Sequence, residues 1–385
     1  VIVGKVLRHV DWWVVLLIAT ISAVGVLFVH SATYGSDLEA LARKQVLFLC
    51  AGGVLGAVVV FVPYARFLRG AWAFYALAVL ALIGLFFFGS VLNGARRWYR
   101  MPGLGFALQP SEFAKLAVVF ALAAWFRFRD KAGFVEGLLV PVGITALPVG
   151  LVFLQPDFGS SLTFWPILFA VAYAAGVSGR RLFAFAATGV GLLCVAWFTA
   201  LAEYQKTRVR VWLEHLSWDR AAVEGDPAVR EMLLGDAYQP WQALIAIGSG
   251  GLGGHGYLQG PQSRFDFLPY RYGDYIFAVL AEETGLVGAA LLVVLYLLLV
   301  LALFRIAVRT RERFGRLVVV GVASWLGAQA FLHVAVCAWM LPATGLPLPL
   351  VSQGGSVTVA AVLGLAVAVG VGARPEPVLG ADGYS

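Results

Sequence analysis

Ionisable side chains are scarce in this chain, so the places where they gather carry most of its chemical information. Asp266 and Asp274 sit in Asp266-Phe267-Leu268-Pro269-Tyr270-Arg271-Tyr272-Gly273-Asp274, where two carboxylates, an arginine and tyrosines collect just before an apolar run. A carboxylate so placed is a candidate proton acceptor. Arg96 and Arg97, between Gly94 and Trp98, present guanidinium forks of the kind that match phosphate oxygens. The plainer alternative is a snorkelling pair beside an interfacial tryptophan. Glu112 and Lys115 are three residues apart and share a helix face. They form either a structural ion pair or a cation held ready for an anionic headgroup. Asp157, in Gln155-Pro156-Asp157-Phe158-Gly159-Ser160, caps a helix or serves a polar site. Glu282 and Glu283 lie inside an apolar run, where ionisable groups normally face a polar cavity or a partner. The uncharged stretch Leu346 to Ser356, with Ser352 and Ser356, reads as a rigid turn able to line a cavity mouth.

The solvent around these groups is lipid. Hydrophobic residues make up 61% of the 385 and charged residues 13%, whereas a soluble domain carries about 25% charge. Ten runs are candidates to span a bilayer: 11–31, 44–62, 71–91, 112–127, 137–154, 160–177, 181–202, 275–304, 316–341 and 355–373. They are continuously apolar, without the alternation of barrel strands, so the expected fold is all-α and polytopic. The first run is long enough to span and no small-residue cleavage site follows it, so a removed signal peptide is not expected.

Lysine and arginine placement gives orientation. With the N-terminus inside, fifteen fall in cytoplasmic segments, Lys131 among them, and six in short outer ones. The other seven of the 28 lie in the long segment 203–274, which at this length reports poorly on topology. Both termini are therefore expected in the cytoplasm. The outer cluster Arg96, Arg97 and Arg100 breaks this bias and calls for a reason. So does the long outer loop, whose tryptophans and glycine-rich run 248–260 argue for a functional segment. That run is not a nucleotide loop: no Gly-Lys-Ser/Thr ends it, and it lies outside. Glycines there suit a backbone that bends sharply or approaches a ligand closely. Cys50, Cys194 and Cys337 all lie in apolar runs and imply neither disulfide nor metal site.

Six blocks, QPSEFAKL at 109–116, QPDFG at 155–159, GSGGLGGHGYLQGPQS at 248–263, DFLP at 266–269, FAVLAEETGLVG at 277–288 and LPLPLVSQGGS at 346–356, occur in the order of the SEDS (shape, elongation, division and sporulation) family. The chain resembles that family, and the DFLP block resembles its elongation, RodA-type branch. It departs at Tyr270, Arg271, Tyr272 and Gly273, where Glu-x-His-Thr is frequent, and at Val357, where a second serine is common. The resemblance implies one transmembrane domain over 1–385, with 203–274 as a large extracytoplasmic loop and 374–385 as a short cytoplasmic tail. It implies a peptidoglycan glycosyltransferase in the bacterial cytoplasmic membrane, polymerising lipid II on the extracytoplasmic face during elongation and shape maintenance. Asp266 is where the resemblance puts the general base, with Asp274 second. Arg96, Arg97 and Lys115, with Trp98, Glu112, Asp157, Glu282, Glu283, Ser352 and Ser356, are the expected substrate-binding set. A divalent cation could join them. A class B penicillin-binding protein is the expected partner, alongside membrane lipids; nucleic acid is not. A flippase for the same precursor, or a non-catalytic scaffold, are the alternatives. A flippase would show broken helices and charges near the midplane.

Overall fold

Backbone immersed in hydrocarbon has to satisfy its N–H and C=O groups internally, and the apolar runs accordingly fold as helices. The computed structural model describes residues 2–92, 95–101, 106–129, 133–199, 203–218, 223 and 225–374; Gly94, Lys131 and the tail beyond 374 lie outside them. Helices α1 (Ile2–His9), α2 (Trp12–Thr33), α3 (Ala40–Phe61) and α4 (Tyr64–Phe88) come first, with Pro63 separating the last two. A three-stranded antiparallel sheet follows, β1 (Ser90–Leu92), β2 (Ala95–Met101) and β3 (Phe106–Leu108), which hydropathy did not foretell. Then come α5 (Pro110–Phe126), a π-helical turn Val135–Leu139 running into α6 (Val140–Leu154), α7 (Phe158–Leu162), α8 (Phe164–Ala174) and α9 (Gly179–Thr199). Within the segment 203–274 the described residues include α10 (Glu203–His215), α11 (Pro227–Leu234), α12 (Tyr238–Ser249) and α13 (Pro261–Arg264). The chain closes with α14 (Ile276–Arg309), α15 (Arg313–Cys337) and α16 (Gly355–Gly372).

Among the described residues, seven helices are long and apolar enough to cross a membrane: α2, α3, α4, Val135–Leu154, α14, α15 and α16. Helices also occupy the other three expected positions, as α5, as α7 with α8, and as α9, but these are not among the seven. Helix α5 runs through the middle, packed against α4, α8 and α15, with Ala117, Val118, Ala121 and Leu122 fully buried. Small residues let helices close up, as where Gly52 and Gly56 of α3 meet Val362 and Ala366 of α16. Pro110 begins α5 as its missing donor predicts, but Ser111 does not cap it. Gln109 holds the cap position, so Ser111 is already inside the first turn, and its hydroxyl is buried without a hydrogen bond.

Proline and glycine breaks are repaired by neighbours. Pro148 cannot donate to the Ile144 carbonyl, and Tyr75 Oη does so instead at 2.8 Å. The larger break is in α14 at Gly285, whose φ of 66° and ψ of −166° are not helical. Orphaned groups on both sides pair with the glycine-rich run. Leu286 N donates to Gly251 O at 2.8 Å and Val287 N to Leu252 O at 3.3 Å; His255 N donates to Glu282 O at 3.1 Å and Gly256 N to Glu283 O at 2.9 Å. The run therefore serves as backbone plug for a split helix. Gly254, at φ 75°, has no room for a side chain, since a Cβ there would lie 2.1 Å from Glu283 O. Gly254→Ala is expected to cost about 3 kcal/mol or more. Gly253→Ala, where a Cβ meets nothing within 4 Å, should stay within about 0.5 kcal/mol. Unfolding of the two variants in detergent checks this.

Basic residues tie down one end of the bundle: Arg305 pairs with Asp11, Arg127 lies 3.4 Å from Glu312, and Arg374 donates to Val60 O at 2.9 Å. The polar cavity opens at the other end.

Candidate active site

Where α3, α5 and α14 begin and α6 ends, the bundle encloses a cavity of about 540 Å³ lined by Lys44, Arg97, Asp157, Arg208 and Asp274, with aromatic rings around them. Each charged group arrives by a distinct local device. Ser90 pairs with Trp98 and Val91 with Arg96, so Arg97 is the extra residue of a β-bulge, which re-aims its side chain. Its Nε donates to Gln155 O at 3.0 Å and another nitrogen to Pro156 O, anchoring one edge of the guanidinium. The side chain remains 31% exposed. Arg208 comes from α10, with one nitrogen donating to Ala343 O at 3.0 Å. Lys44 stands in the first turns of α3.

The two carboxylates differ in what they have left to give. Asp157 caps α7, accepting from Ser160 N at 3.1 Å, Ser160 Oγ at 2.9 Å and Gln109 Nε2 at 3.1 Å, with Arg97 3.9 Å away. Its lone pairs are committed. Asp274 is partly exposed to the cavity, and among the described residues its carboxylate makes no hydrogen bond and no ion pair within 4 Å. Burial pushes its pKa up to about 6; Asp157 adds to the rise, while Arg208 and Arg97 oppose it.

The loop between α15 and α16 frames Asp274. Its prolines leave it irregular, so buried side chains capture its carbonyls: His333 Nδ1 to Leu346 O at 2.7 Å, Gln329 Nε2 to Pro347 O at 2.9 Å, and Tyr296 Oη to Pro349 O. Gly345 lies so close that a Cβ there would sit 3.4 Å from Asp274 Oδ2. Ser352 Oγ donates to Gly273 O at 2.6 Å, and Gln353 N to Tyr272 O at 2.9 Å, fixing the backbone ahead of Asp274.

The structure gathers only part of the expected set. Arg97, Trp98, Asp157, Asp274 and Ser356 line the cavity. Ser356 Oγ accepts from Gln109 N at 2.8 Å. Ser352 is buried behind the wall in the role just described. Arg96 points elsewhere, exposed, donating to Phe86 O at 3.0 Å. Asp266 is also outside: its side chain is 67% exposed and pairs with Arg271, whose Nε donates to Ala32 O at 2.6 Å. Lys115 offers nothing to a ligand. It is fully buried, 2.8 Å from Glu112 and 2.9 Å from Gln329 Oε1, with the Trp325 ring 5.2 Å away. Glu282 accepts from Gln262 N at 2.7 Å and from Ser263 Oγ at 3.0 Å, and Glu283 from Ser31, so both hold outer segments to the broken helix. Sequence reasoning passed over Lys44, Arg208, Tyr270 and Tyr272. The first carried a signal, being one more cation on the outer side. No three His, Cys, Asp or Glu side chains among the described residues converge to hold a metal ion.

Comparison with known proteins agrees with this architecture. Peptidoglycan glycosyltransferase MrdB of Escherichia coli K12 is 33% identical over 365 residues, covering 94% of this chain and 93% of that protein. Peptidoglycan glycosyltransferase RodA of Treponema pallidum is 28% identical, covering 94% and 98%. Among solved structures, a chain of a peptidoglycan synthase complex that coordinates polymerization and crosslinking superposes with a TM-score of 0.78 at 29% identity, covering 94% of this chain and 97% of that one. The rod-shape-determining protein RodA of Thermus thermophilus superposes at 0.68 with 30% identity, covering 94% and 96%. Residues 9–374 match the FtsW/RodA/SpoVE family of cell cycle proteins, and the chain belongs to that family.

Proposed function

We infer that the chain is a peptidoglycan glycosyltransferase that polymerises lipid II during cell elongation, at the extracytoplasmic face of the bacterial cytoplasmic membrane. One observation carries the mechanism: Asp274, a carboxylate without a partner among the described residues, shares a cavity wall with Arg97, Arg208 and Lys44. In the reaction an acceptor sugar hydroxyl attacks the anomeric carbon of the donor. The new C–O bond forms as the bond to the pyrophosphate oxygen breaks, and the pyrophosphate departs with the electron pair. Asp274 takes the hydroxyl proton, as a base whose pKa lies near the working pH does best. Arg97, Arg208 and Lys44 hold the charge that grows on the leaving group. Lysine and arginine counts support the orientation, because the cavity lies opposite the end tied down by Arg305, Arg127 and Arg374. The ten-span topology, the single domain and a class B penicillin-binding protein as crosslinking partner belong to the same reading.

A transporter of the same precursor draws some support from the break at Gly285. Against it, Glu282 and Glu283 beside that break are engaged in holding protein segments. The deciding experiment supplies lipid II to the purified chain with its transpeptidase and resolves glycan products on a gel. Polymer is the expected result. Translocation of lipid II across vesicles without polymer would replace this reading with the transporter.

A further inference from the structure

The segment before α14 sorts its side chains by turns. Arg271 is buried away from the cavity, bound to Ala32 O and Asp266. The residues on either side of it, Tyr270 and Tyr272, line the cavity together with Asp274. Tyr270 is 43% exposed and holds φ at 52°, a left-handed backbone that a residue with a side chain keeps only when its surroundings enforce it. Here the two residues that follow it are held: Arg271 is clamped to α2, and Tyr272 O receives Gln353 N at 2.9 Å. Burial raises the Tyr272 phenol, with Tyr270 and Asp274 adding to the rise and Arg271 opposing it, so Tyr272 lies within reach of both groups' charge.

We propose that Tyr270 and Tyr272 form an aromatic platform for the acceptor sugar, an N-acetylated hexosamine pyranose, and turn its reacting hydroxyl toward Asp274. This deepens the glycosyltransferase reading and rests on it. A pyranose chair presents C–H groups on its faces and hydroxyls around its rim. An aromatic ring covers such a face without stripping water from the rim, and brings large contact area at small entropic cost. Two rings next to the base thus orient the sugar while leaving its hydroxyl free to reach the carboxylate. The tyrosines are positioning residues, because the proton passes to Asp274.

Initial rates of polymerisation against lipid II concentration test this for Tyr270→Leu, Tyr270→Phe and Tyr272→Phe. Tyr270→Leu removes the ring from an exposed position, where folding is not at stake. It should raise the half-saturating concentration about tenfold and leave the pH midpoint in place. The Phe variants keep the ring and should shift it less than about threefold. Unchanged concentration dependence in Tyr270→Leu overturns the platform. So do Phe variants as impaired as Leu, or a loss confined to the maximal rate with a displaced pH midpoint. Binding of lipid II to Asp274→Asn, with and without Tyr270→Leu, needs no turnover and separates this proposal from the activity. Weakening of about tenfold supports the platform even if no polymer forms, and equal binding refutes it even if polymer does.

Discussion

Asp274→Asn should lower glycan synthesis at least about 10³-fold, while Asp266→Asn costs less than about tenfold. The amide keeps the size of the side chain but cannot accept the proton. Asp266 faces solvent and pairs with Arg271, itself held by Ala32 O, outside the cavity. Loss of that pair, exposed on the Asp266 side, loosens the segment carrying Tyr270 to Asp274 without removing a reacting group. Stability moves the opposite way. Because burial raises Asp274 from 3.8 to about 6, the folded state binds its proton more tightly than the unfolded chain does. The stability contributed by this group is present below pH 3.8 and is lost as pH rises through about 6. At pH 7.5 the carboxylate therefore costs at most about 3 kcal/mol, and Asp274→Asn should melt at a higher temperature than the parent. An inactive variant that is also more stable separates chemistry from unfolding. Rates and melting curves on the same preparations check both parts.

Lys115→Met should destabilise the fold by about 3–5 kcal/mol, because it strands a buried carboxylate. Glu112 Oε1 lies 2.8 Å from the ammonium, and its other oxygen is buried without a hydrogen bond. Gln329 would lose the donor to its Oε1 while still accepting from Trp325 Nε1 at 2.8 Å and donating to Pro347 O. Through that last bond the damage reaches the loop that frames Asp274. Glu112→Gln combined with Lys115→Met removes both charges and should recover most of the loss. Chemical unfolding in detergent across this double-mutant cycle measures the coupling. Equal stability of Lys115→Met and the parent would show that the pair is not the core element described above.

The helices were legible because apolar length is a property of sequence alone: helices stand at all ten expected positions, and among the described residues seven of them are long and apolar enough to cross a membrane. Depth within the bundle was not legible. Lys115 is one turn from the start of α5 and read as interfacial, but α5 is enclosed sideways by α4, α8 and α15, which hydropathy does not register. Arg96 and Arg97 read as a pair until the bulge in β2 parted them. The choice between Asp266 and Asp274 turned on where a compact, glycine-rich loop folds back. Both reside in one motif, and contacts made by distant segments, the clamp on Arg271 and the bonds from Ser352 and Gln353 to the backbone ahead of Asp274, accompany the placement of Asp274 in the cavity. Arg208 lies far along the chain from the other cations, and no local spacing announces that α10 brings it to them. The glycine-rich run was read as a sharp bend or a close approach to a ligand; in the fold the close approach is instead to backbone, at the break in α14 at Gly285.

The central claim is that an unpartnered carboxylate at Asp274 receives the proton. Its most direct test is the rate of lipid II polymerisation between pH 4.5 and 8.5 at constant ionic strength. The rate should rise about tenfold per pH unit at the acid end, bend near pH 6 and level off above about pH 7. A rate that is flat across this range, or the same profile persisting in Asp274→Asn, would contradict the account.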